Sequence, residues 1–445
     1  MIFKRKVYKE LLEWKLKHGR SYAALLEGPR RVGKSTIAEE FARNEFKSHI
    51  IIDFANVSRT TLDVFSDISN LNLFFQRLQL ETGVLLHEGE SVIVFDEIQR
   101  APLVRQAIKY LVKDGRYYYI ETGSLISIKK NVKDIVIPSE EHRIAVYPMD
   151  YEEFLEATGN NTYPIIRNIY KSDESAGDAI HRTQMRNFRA YMAVGGMPQA
   201  VKAYAEGKSF AEIDDIKRKI IELYEEDFNK IDSSGRISKL YDAIPSQLML
   251  GRKNFSISNV LSKKVSKKDE ELLSDLIDSK TVLISYNTTD PSIALNQTKD
   301  SSSYKLFLAD IGLFVTLLFR DESKIYNDIY KKLLSNNLNI NLGYLFENVV
   351  AQMITAAGRR LFYHTWKKEG STHSYEIDFL ISKRAKVVPL EIKSSNTRFH
   401  DSITEFAKKY SSKVEEQYLL SQKDVKNEDN LQFKPIYMIP FILEE

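Results

Sequence analysis

One loop carries the clearest chemical signal in the sequence. It fits the pattern GxxxxGK[ST], and its residues are Gly28, Pro29, Arg30, Arg31, Val32, Gly33, Lys34, Ser35 and Thr36. Successive backbone amides of such a loop point at phosphate oxygens, at the positive end of the helix that follows. Lys34 then reaches the β- and γ-phosphates, and the Ser35 hydroxyl ligates Mg²⁺. The loop therefore predicts a site for ATP and Mg²⁺.

Two adjacent carboxylates, Asp96 and Glu97, follow an apolar run at 91–95. This is the Walker B arrangement, in which the two side chains have different tasks. Asp96 is placed to hold Mg²⁺ together with Ser35. Glu97 lies beside the metal, where a carboxylate can polarise the water that attacks the γ-phosphate. The pair predicts a site that hydrolyses the bound nucleotide.

Further polar residues are candidates for the same site. A run at 117–121 reads as a strand, and Thr122 and Ser124 at its tip are candidate sensors of the phosphate. Arg143 is a candidate for stabilising charge that develops on the phosphate, in its own or a neighbouring subunit. It is equally an ordinary surface arginine, and Arg30 and Arg31 compete for a similar role.

The elements that must position these residues alternate between strands and helices. Predicted strands cover 22–26, 49–54, 91–96, 117–121 and 143–147, and predicted helices cover 37–46 and 71–87. This alternation indicates an α/β fold with a parallel sheet and the ligand at the carboxyl ends of its strands. The 117–121 strand is expected between the loop strand and the Walker B strand. The pattern at 181–231 is helical and indicates a lid.

A second group of charged residues lies near the C-terminus. Predicted strands at 375–381 and 387–393 place Asp378 on one strand and Glu391 with Lys393 on the next, since residues two apart on a strand share a side. Two carboxylates can bind Mg²⁺, and the lysine can orient a water. With Glu347 on a predicted helix at 343–356, the group resembles the PD-(D/E)XK nuclease core. The proline that usually precedes the first acid is absent, and a fold does not settle activity.

The middle of the chain has the layout of a winged helix. Predicted helices at 239–250, 257–261 and 267–277 precede predicted strands at 281–285 and 305–308. A local basic excess could contact DNA phosphates through Arg252, Lys253, Lys263, Lys264, Lys267 and Lys268. The alternative is a solvated lysine-rich face, because Asp269, Glu270 and Glu271 follow directly.

Composition limits the class of protein. The chain has 445 residues, no cysteine and a formal charge of +3, so disulfides and thiolate metal sites are excluded and no global charge points to nucleic acid. The apolar run 306–319 is short for a membrane span and contains Asp310. We therefore expect a cytoplasmic protein that does not engage a membrane.

Several stretches together resemble a family of archaeal and bacterial AAA-type ATPases that carry a C-terminal domain of unknown function. They are GPRRVGKST, FDEIQRAP, ETGSLIS, YPMDYEEF, VGGMPQAV, KLFLADIGL and FENVVA. The resemblance implies an ATPase core at 1–158, an insertion and helical lid at 159–235, a winged helix at 236–335 and a restriction-endonuclease-like α/β domain at 336–445. AAA relatives often form rings, so a homo-oligomer is expected from the resemblance alone.

Three functions are compatible with these features. The leading expectation is a Mg²⁺-dependent ATPase whose nucleotide state moves the winged helix and the nuclease-like domain. The first alternative is a Mg²⁺-dependent DNA nuclease gated by ATP. The second is a DNA-binding or signalling switch that turns over ATP slowly and whose C-terminal domain binds without cutting.

Overall fold

The computed structural model describes residues 3–123, 138–292, 294–320, 326–335, 343–394, 397–428 and 430–444. They form two compact units. The first draws on Met1–Tyr147 and Asp278–Lys280, and the second on Pro148–Ile277 and Thr281–Glu445. Each unit has its own sheet or sheets and its own buried core.

The first unit is built on a five-stranded sheet with helices on its faces. Its strands are β1 (Ala23–Glu27), β2 (Ser48–Asp53), β3 (Ser91–Asp96), β4 (Tyr118–Gly123) and β5 (Glu141–Ala145). Its helices are α1 (Val7–Lys17), α2 (Lys34–Glu45), α3 (Arg59–Val64), α4 (Leu71–Thr82) and α5 (Pro102–Asp114). All pairings are parallel, in the order β2-β3-β4-β1-β5. The predicted parallel sheet is confirmed, with β4 between β1 and β3.

The core of this unit explains why these segments become strands and helices. The strand run Val92, Ile93, Val94 and Phe95 is fully buried, as expected for a parallel sheet covered on both faces. Apolar side chains of α4 and α5 complete the core on one face of the sheet. Pro102 starts α5, where a missing backbone N–H costs nothing. The packed sheet fixes the strand ends that carry the polar residues.

The second unit begins with helices. They are α6 (Tyr151–Ala157), α7 (Tyr163–Ser172), α8 (Asp178–Val194), α9 (Pro198–Ala205), α10 (Phe210–Ile231), α11 (Arg236–Asp242), α12 (Ile244–Met249), α13 (Ile257–Leu261) and α14 (Lys267–Asp278). The prediction of a single helix at 239–250 is wrong. The segment forms two helices because Pro245 cannot continue a helix and sits at the start of the next one.

Two sheets follow in the second unit. The first has the order β7-β6-β8-β9, from β6 (Val282–Thr288), β7 (Lys299–Leu308), β8 (Leu361–Lys367) and β9 (Ser374–Ile377). The second has the order β10-β11-β12-β14-β13, from β10 (Phe379–Lys383), β11 (Lys386–Lys393), β12 (Gln417–Ser421), β13 (Lys426–Glu428) and β14 (Leu431–Pro435). The helices here are α15 (Ile311–Leu318), α16 (Tyr326–Ser335), α17 (Gly343–Ala356), α18 (Asp401–Lys409) and α19 (Ile439–Glu444).

One predicted strand is divided between the two sheets. The strand predicted at 375–381 is divided at Asp378, with β9 before it and β10 after it. β9 pairs with β8 in the first sheet, and β10 pairs with β11 in the second. The β6–β7 hairpin joins the first sheet through a parallel pairing of β6 with β8. Asp378 therefore lies where the chain passes from one sheet to the other.

Candidate nucleotide site and C-terminal carboxylate cluster

The predicted phosphate loop connects β1 to α2 in a tight wrap. A Cβ on Gly28 would lie 2.1 Å from the Val146 carbonyl oxygen, so only glycine fits against the chain that follows β5. Gly33 has φ +93°, in the left-handed region that favours glycine, and α2 starts at the next residue. The loop therefore ends at the N-terminus of a helix, as phosphate binding requires.

Lys34 is buried inside this loop. Its Nζ donates hydrogen bonds to the carbonyl oxygens of Gly28 at 3.0 Å and Pro29 at 2.8 Å. Burial lowers the pKa of Lys34 to about 8, although the nearby carboxylates of Glu97 and Asp96 oppose the shift. A buried ammonium group that is held by loop carbonyls can exchange them for phosphate oxygens.

Ser35, Asp96 and Thr122 meet beside the loop. The Ser35 hydroxyl donates to Asp96 Oδ1 at 2.7 Å, and the Thr122 hydroxyl donates to the same oxygen. Hydroxyl and carboxylate oxygens are the ligands that Mg²⁺ prefers, so these residues fit the ion that the sequence predicted. Helix α2 carries Ser35, and strands β3 and β4 carry Asp96 and Thr122, so the fold brings together residues that are far apart in the chain.

Glu97 follows Asp96 with an unusual backbone. Its φ of +54° lies in the left-handed region, which a glutamate rarely adopts. Its N–H donates to Thr122 Oγ1 at 3.3 Å, and its Oε2 accepts a hydrogen bond from Gln99 Nε2 at 2.5 Å. Gln99 is buried in the short turn Ile98–Arg100. Sequence reasoning missed this residue, although it lies within the quoted FDEIQRAP stretch.

Arg5 braces the loop from the N-terminal segment. Its guanidinium donates to the Val32 carbonyl oxygen at 2.9 Å and to the Tyr147 carbonyl oxygen at 2.7 Å. It thereby ties the phosphate loop to the chain beyond β5. No pattern in the sequence pointed to Arg5, because it precedes Val32 by 27 residues and Tyr147 by 142.

The remaining candidates for the nucleotide site are Arg143, Ser124 and the loop arginines. Arg143 lies on β5 with its side chain 55% exposed and its Nη1 at 3.4 Å from Glu27 Oε1. Ser124 lies outside the described residues. The roles of Arg143, Ser124 and the loop arginines stay predictions.

The structure does bring together the predicted C-terminal group. Asp378 Oδ2 accepts from the Ile392 N–H at 2.7 Å, so it lies against the end of β11. Glu391 Oε1 lies 2.7 Å from Lys393 Nζ, and its Oε2 accepts from the Ile403 N–H at 3.1 Å. Burial, and then the neighbouring Glu347, raise the pKa of Asp378 well above its ordinary value.

Lys305 on β7 also reaches this group, and sequence reasoning did not assign it a role. Its Nζ lies 2.5 Å from Glu376 Oε1 and 3.6 Å from Glu347 Oε2. Burial disfavours the ammonium form, but the carboxylates of Glu347, Glu376 and Asp378 outweigh it and raise the pKa of Lys305. These six residues form what we call the carboxylate cluster: Lys305, Glu347, Glu376, Asp378, Glu391 and Lys393.

In the ranges that the structure covers, no group of three or more histidine, aspartate or glutamate side chains is arranged to hold a metal ion. No described helix is both long and apolar enough to cross a membrane.

The predicted DNA-contacting residues are all exposed. Lys263 pairs with Asp269 Oδ2 at 2.9 Å, and Lys253 Nζ donates to the Ser374 carbonyl oxygen at 3.4 Å. These two lysines therefore already have intramolecular partners. The DNA contact stays a prediction.

Comparison with protein families divides the chain into three matched stretches. Residues 20–155 match the model of an AAA domain, which confirms the predicted AAA-type P-loop ATPase domain. Residues 185–324 match a domain of unknown function (DUF8612), and residues 342–439 match another (DUF4143). The helical lid, the winged helix and the nuclease-like fold stay predictions.

Solved structures give distant matches, and the curated proteins give none. The Thermotoga maritima RuvB Holliday junction branch migration motor is 15% identical, with a TM-score of 0.30 over 63% of this chain and 89% of that one. Cdc6p from Pyrobaculum aerophilum is 14% identical, with a TM-score of 0.25 over 75% of this chain and 93% of that one. At these values the matches support no transfer of activity.

Proposed function

We propose that this chain, whose residues 20–155 form an AAA-type P-loop ATPase domain, binds ATP with Mg²⁺ and hydrolyses it. The observation that carries the proposal is the convergence of Lys34, Ser35, Asp96, Thr122 and Glu97 at one edge of the sheet. Each has the chemistry that one task of the reaction requires.

The residues act by positioning and by stabilising charge. The loop amides and the Lys34 ammonium group hold the β- and γ-phosphates once Lys34 leaves the carbonyl oxygens of Gly28 and Pro29. Ser35 and Asp96 would hold Mg²⁺, which neutralises phosphate charge when bound. Glu97 accepts a hydrogen bond from the attacking water, and Thr122 connects it to Asp96. Arg143 is proposed to stabilise charge on the phosphate in its own subunit or in a neighbouring one.

Replacing Lys34 tests this proposal. Lys34→Ala should abolish ATP turnover, whereas Glu97→Gln should keep ATP binding and lose turnover. Lys47→Ala is a matched control, since Lys47 is an exposed lysine of the same domain, paired with Glu90. Phosphate release and binding of a fluorescent ATP analogue separate the two steps. If Lys34→Ala hydrolyses ATP as fast as the parent, the assignment is wrong.

We further infer that the rest of the chain is a DNA-binding switch under nucleotide control. The observation in favour is the exposed basic segment between Gly251 and Lys268, which contains six basic and no acidic residues. Duplex phosphates would release counterions on binding it, which makes affinity fall with salt. The predicted winged-helix layout favours the same inference.

Fluorescence anisotropy with a labelled duplex tests the switch. Lys264→Ala and Lys267→Ala should weaken binding, and each should reduce the salt slope by about one. Lys230→Ala is the control, because this exposed lysine lies outside the basic segment and pairs with Asp227. Salt-independent binding, or equal loss in the control, would contradict the inference. The alternative of an ATP-gated nuclease is tested by incubating plasmid and Mg²⁺ with the parent protein and with Glu391→Ala. Cutting by the parent that is lost in the variant would favour the nuclease.

A further inference from the structure

The carboxylate cluster already contains a buried cation. Lys305 comes from β7, and its side chain is 6% exposed. Its ammonium nitrogen lies 2.5 Å from Glu376 Oε1, on β9, and 3.6 Å from Glu347 Oε2, on α17. The lysine therefore bridges a helix and a strand through the carboxylates of Glu347 and Glu376.

The other carboxylates of the cluster are engaged by the protein itself. Both oxygens of Glu391 have partners, one being Lys393 Nζ and the other the Ile403 N–H. One oxygen of Asp378 accepts from the Ile392 N–H. A divalent cation bound by Asp378 and Glu391 would compete with these contacts and lie close to the ammonium groups of Lys305 and Lys393.

We propose that the Lys305 ammonium group takes the place of a divalent cation in the carboxylate cluster, so that this part of the chain does not cleave phosphodiesters. An ammonium group donates hydrogen bonds to carboxylates and balances their charge. Unlike a metal ion, it does not coordinate a phosphate oxygen or a water, and so it does not generate a metal-bound hydroxide. The cluster then fixes β7, β9 and α17 together.

Mn²⁺ titration of the full-length chain without nucleotide tests the proposal. Electron paramagnetic resonance counts bound Mn²⁺ in the parent, in Asp378→Asn and in Lys305→Met, which keeps most of the length of the side chain but removes its charge. Parent and Asp378→Asn should bind Mn²⁺ alike, because the cluster holds none. Lys305→Met should gain one site, and adding Asp378→Asn to it should remove that site. Lys299→Met, an exposed lysine on the same strand, should gain none.

Several outcomes would overturn the proposal. One is a parent site that Asp378→Asn removes, and another is Mg²⁺-dependent DNA cleavage that Glu391→Ala abolishes. A folded Lys305→Met variant that gains no site would also overturn it. If Lys305→Met does not fold, the comparison of the parent with Asp378→Asn still decides. ATP turnover is measured separately in each variant, so failure of the ATPase proposal does not affect this result.

Discussion

Gln99 Nε2 lies 2.5 Å from Glu97 Oε2, so a buried amide holds the carboxylate that is proposed to polarise the attacking water. The backbone of Glu97 is left-handed, and its N–H is tied to Thr122 Oγ1. Strained backbone of this kind persists only where the surroundings over-determine it. Gln99 and Thr122 together supply that restraint, which makes Gln99 a positioning residue.

Replacing Gln99 should slow hydrolysis without weakening ATP binding. In Gln99→Ala the Glu97 carboxylate loses its donor and samples other orientations, so kcat should fall between about tenfold and a hundredfold with KM nearly unchanged. In Gln99→Glu the kcat should fall further, because a second carboxylate repels that of Glu97. Steady-state kinetics and binding of an ATP analogue measure the two effects. Equal losses in kcat and in nucleotide affinity would indicate that Gln99 only supports the fold.

Arg5 should matter for both stability and nucleotide binding. Arg5→Ala leaves the carbonyl oxygens of Val32 and Tyr147 without this donor, and a buried group that loses its partner costs about 1–3 kcal/mol. The phosphate loop should also lose its order, which weakens ATP binding. Urea denaturation and ATP titration measure the two effects.

Arg43→Ala is the control for Arg5. Arg43 forms an exposed pair with Glu39 at 3.3 Å, and such surface pairs contribute about 0–1 kcal/mol. A stability loss in Arg5→Ala no larger than in Arg43→Ala would show that the brace contributes nothing.

The affinity for ATP should depend on pH through Lys34. Burial lowers its pKa to about 8 in the nucleotide-free protein, and phosphate charge favours the ammonium form. Above this pH the lysine must take up a proton when ATP binds. The dissociation constant should therefore rise as pH increases beyond 8, by up to about tenfold per pH unit.

Lys34→Arg provides the control for this pH dependence. A guanidinium group keeps its charge throughout the range, so its ATP affinity should be weaker or equal but nearly independent of pH. Isothermal titration calorimetry in buffers of different ionisation enthalpy also detects the proton taken up by the parent. A parent affinity that does not change through pH 8 would contradict the assigned protonation of Lys34.

Sequence patterns predicted the site residues whose structural environment is formed by their neighbours in the chain. Gly28, Lys34 and Ser35 lie in a strand, loop and helix that are local in sequence, and Asp96 and Glu97 end a buried strand. Their convergence follows from one rule, that parallel strands present their carboxyl ends at one edge.

Residues that act through distant contacts left no such pattern. Arg5 lies in a short N-terminal segment with no motif, and Lys305 precedes its partner Glu376 by 71 residues. A lysine at the start of an apolar run gives no sign of whether it is solvated or paired. The division of a predicted strand at Asp378 was equally hidden, because both halves have strand patterns and only the pairing partners differ.

The buried pair of Arg105 and Glu141 gives a last prediction, on stability. Arg105 Nε and Nη2 each donate to a Glu141 oxygen at 2.8 Å, and both side chains are 2% exposed. Glu141→Gln leaves the guanidinium buried without its counter-charge and should destabilise the fold by about 3–5 kcal/mol. Urea denaturation at neutral pH measures the loss.

Glu121 is the matched control, since it is buried beside the same pair. Among the described residues neither of its carboxylate oxygens has a hydrogen-bond partner, and burial, followed by the charge of Glu141, raises its pKa well above the ordinary value. The folded state then binds a proton that the unfolded state releases, so this residue makes stability fall as pH rises from the ordinary glutamate pKa through the raised one. Glu121→Gln should remove that part of the pH dependence and cost far less than Glu141→Gln. Equal losses in the two variants, or an unchanged pH dependence in Glu121→Gln, would show that Glu121 is ionised in the folded protein.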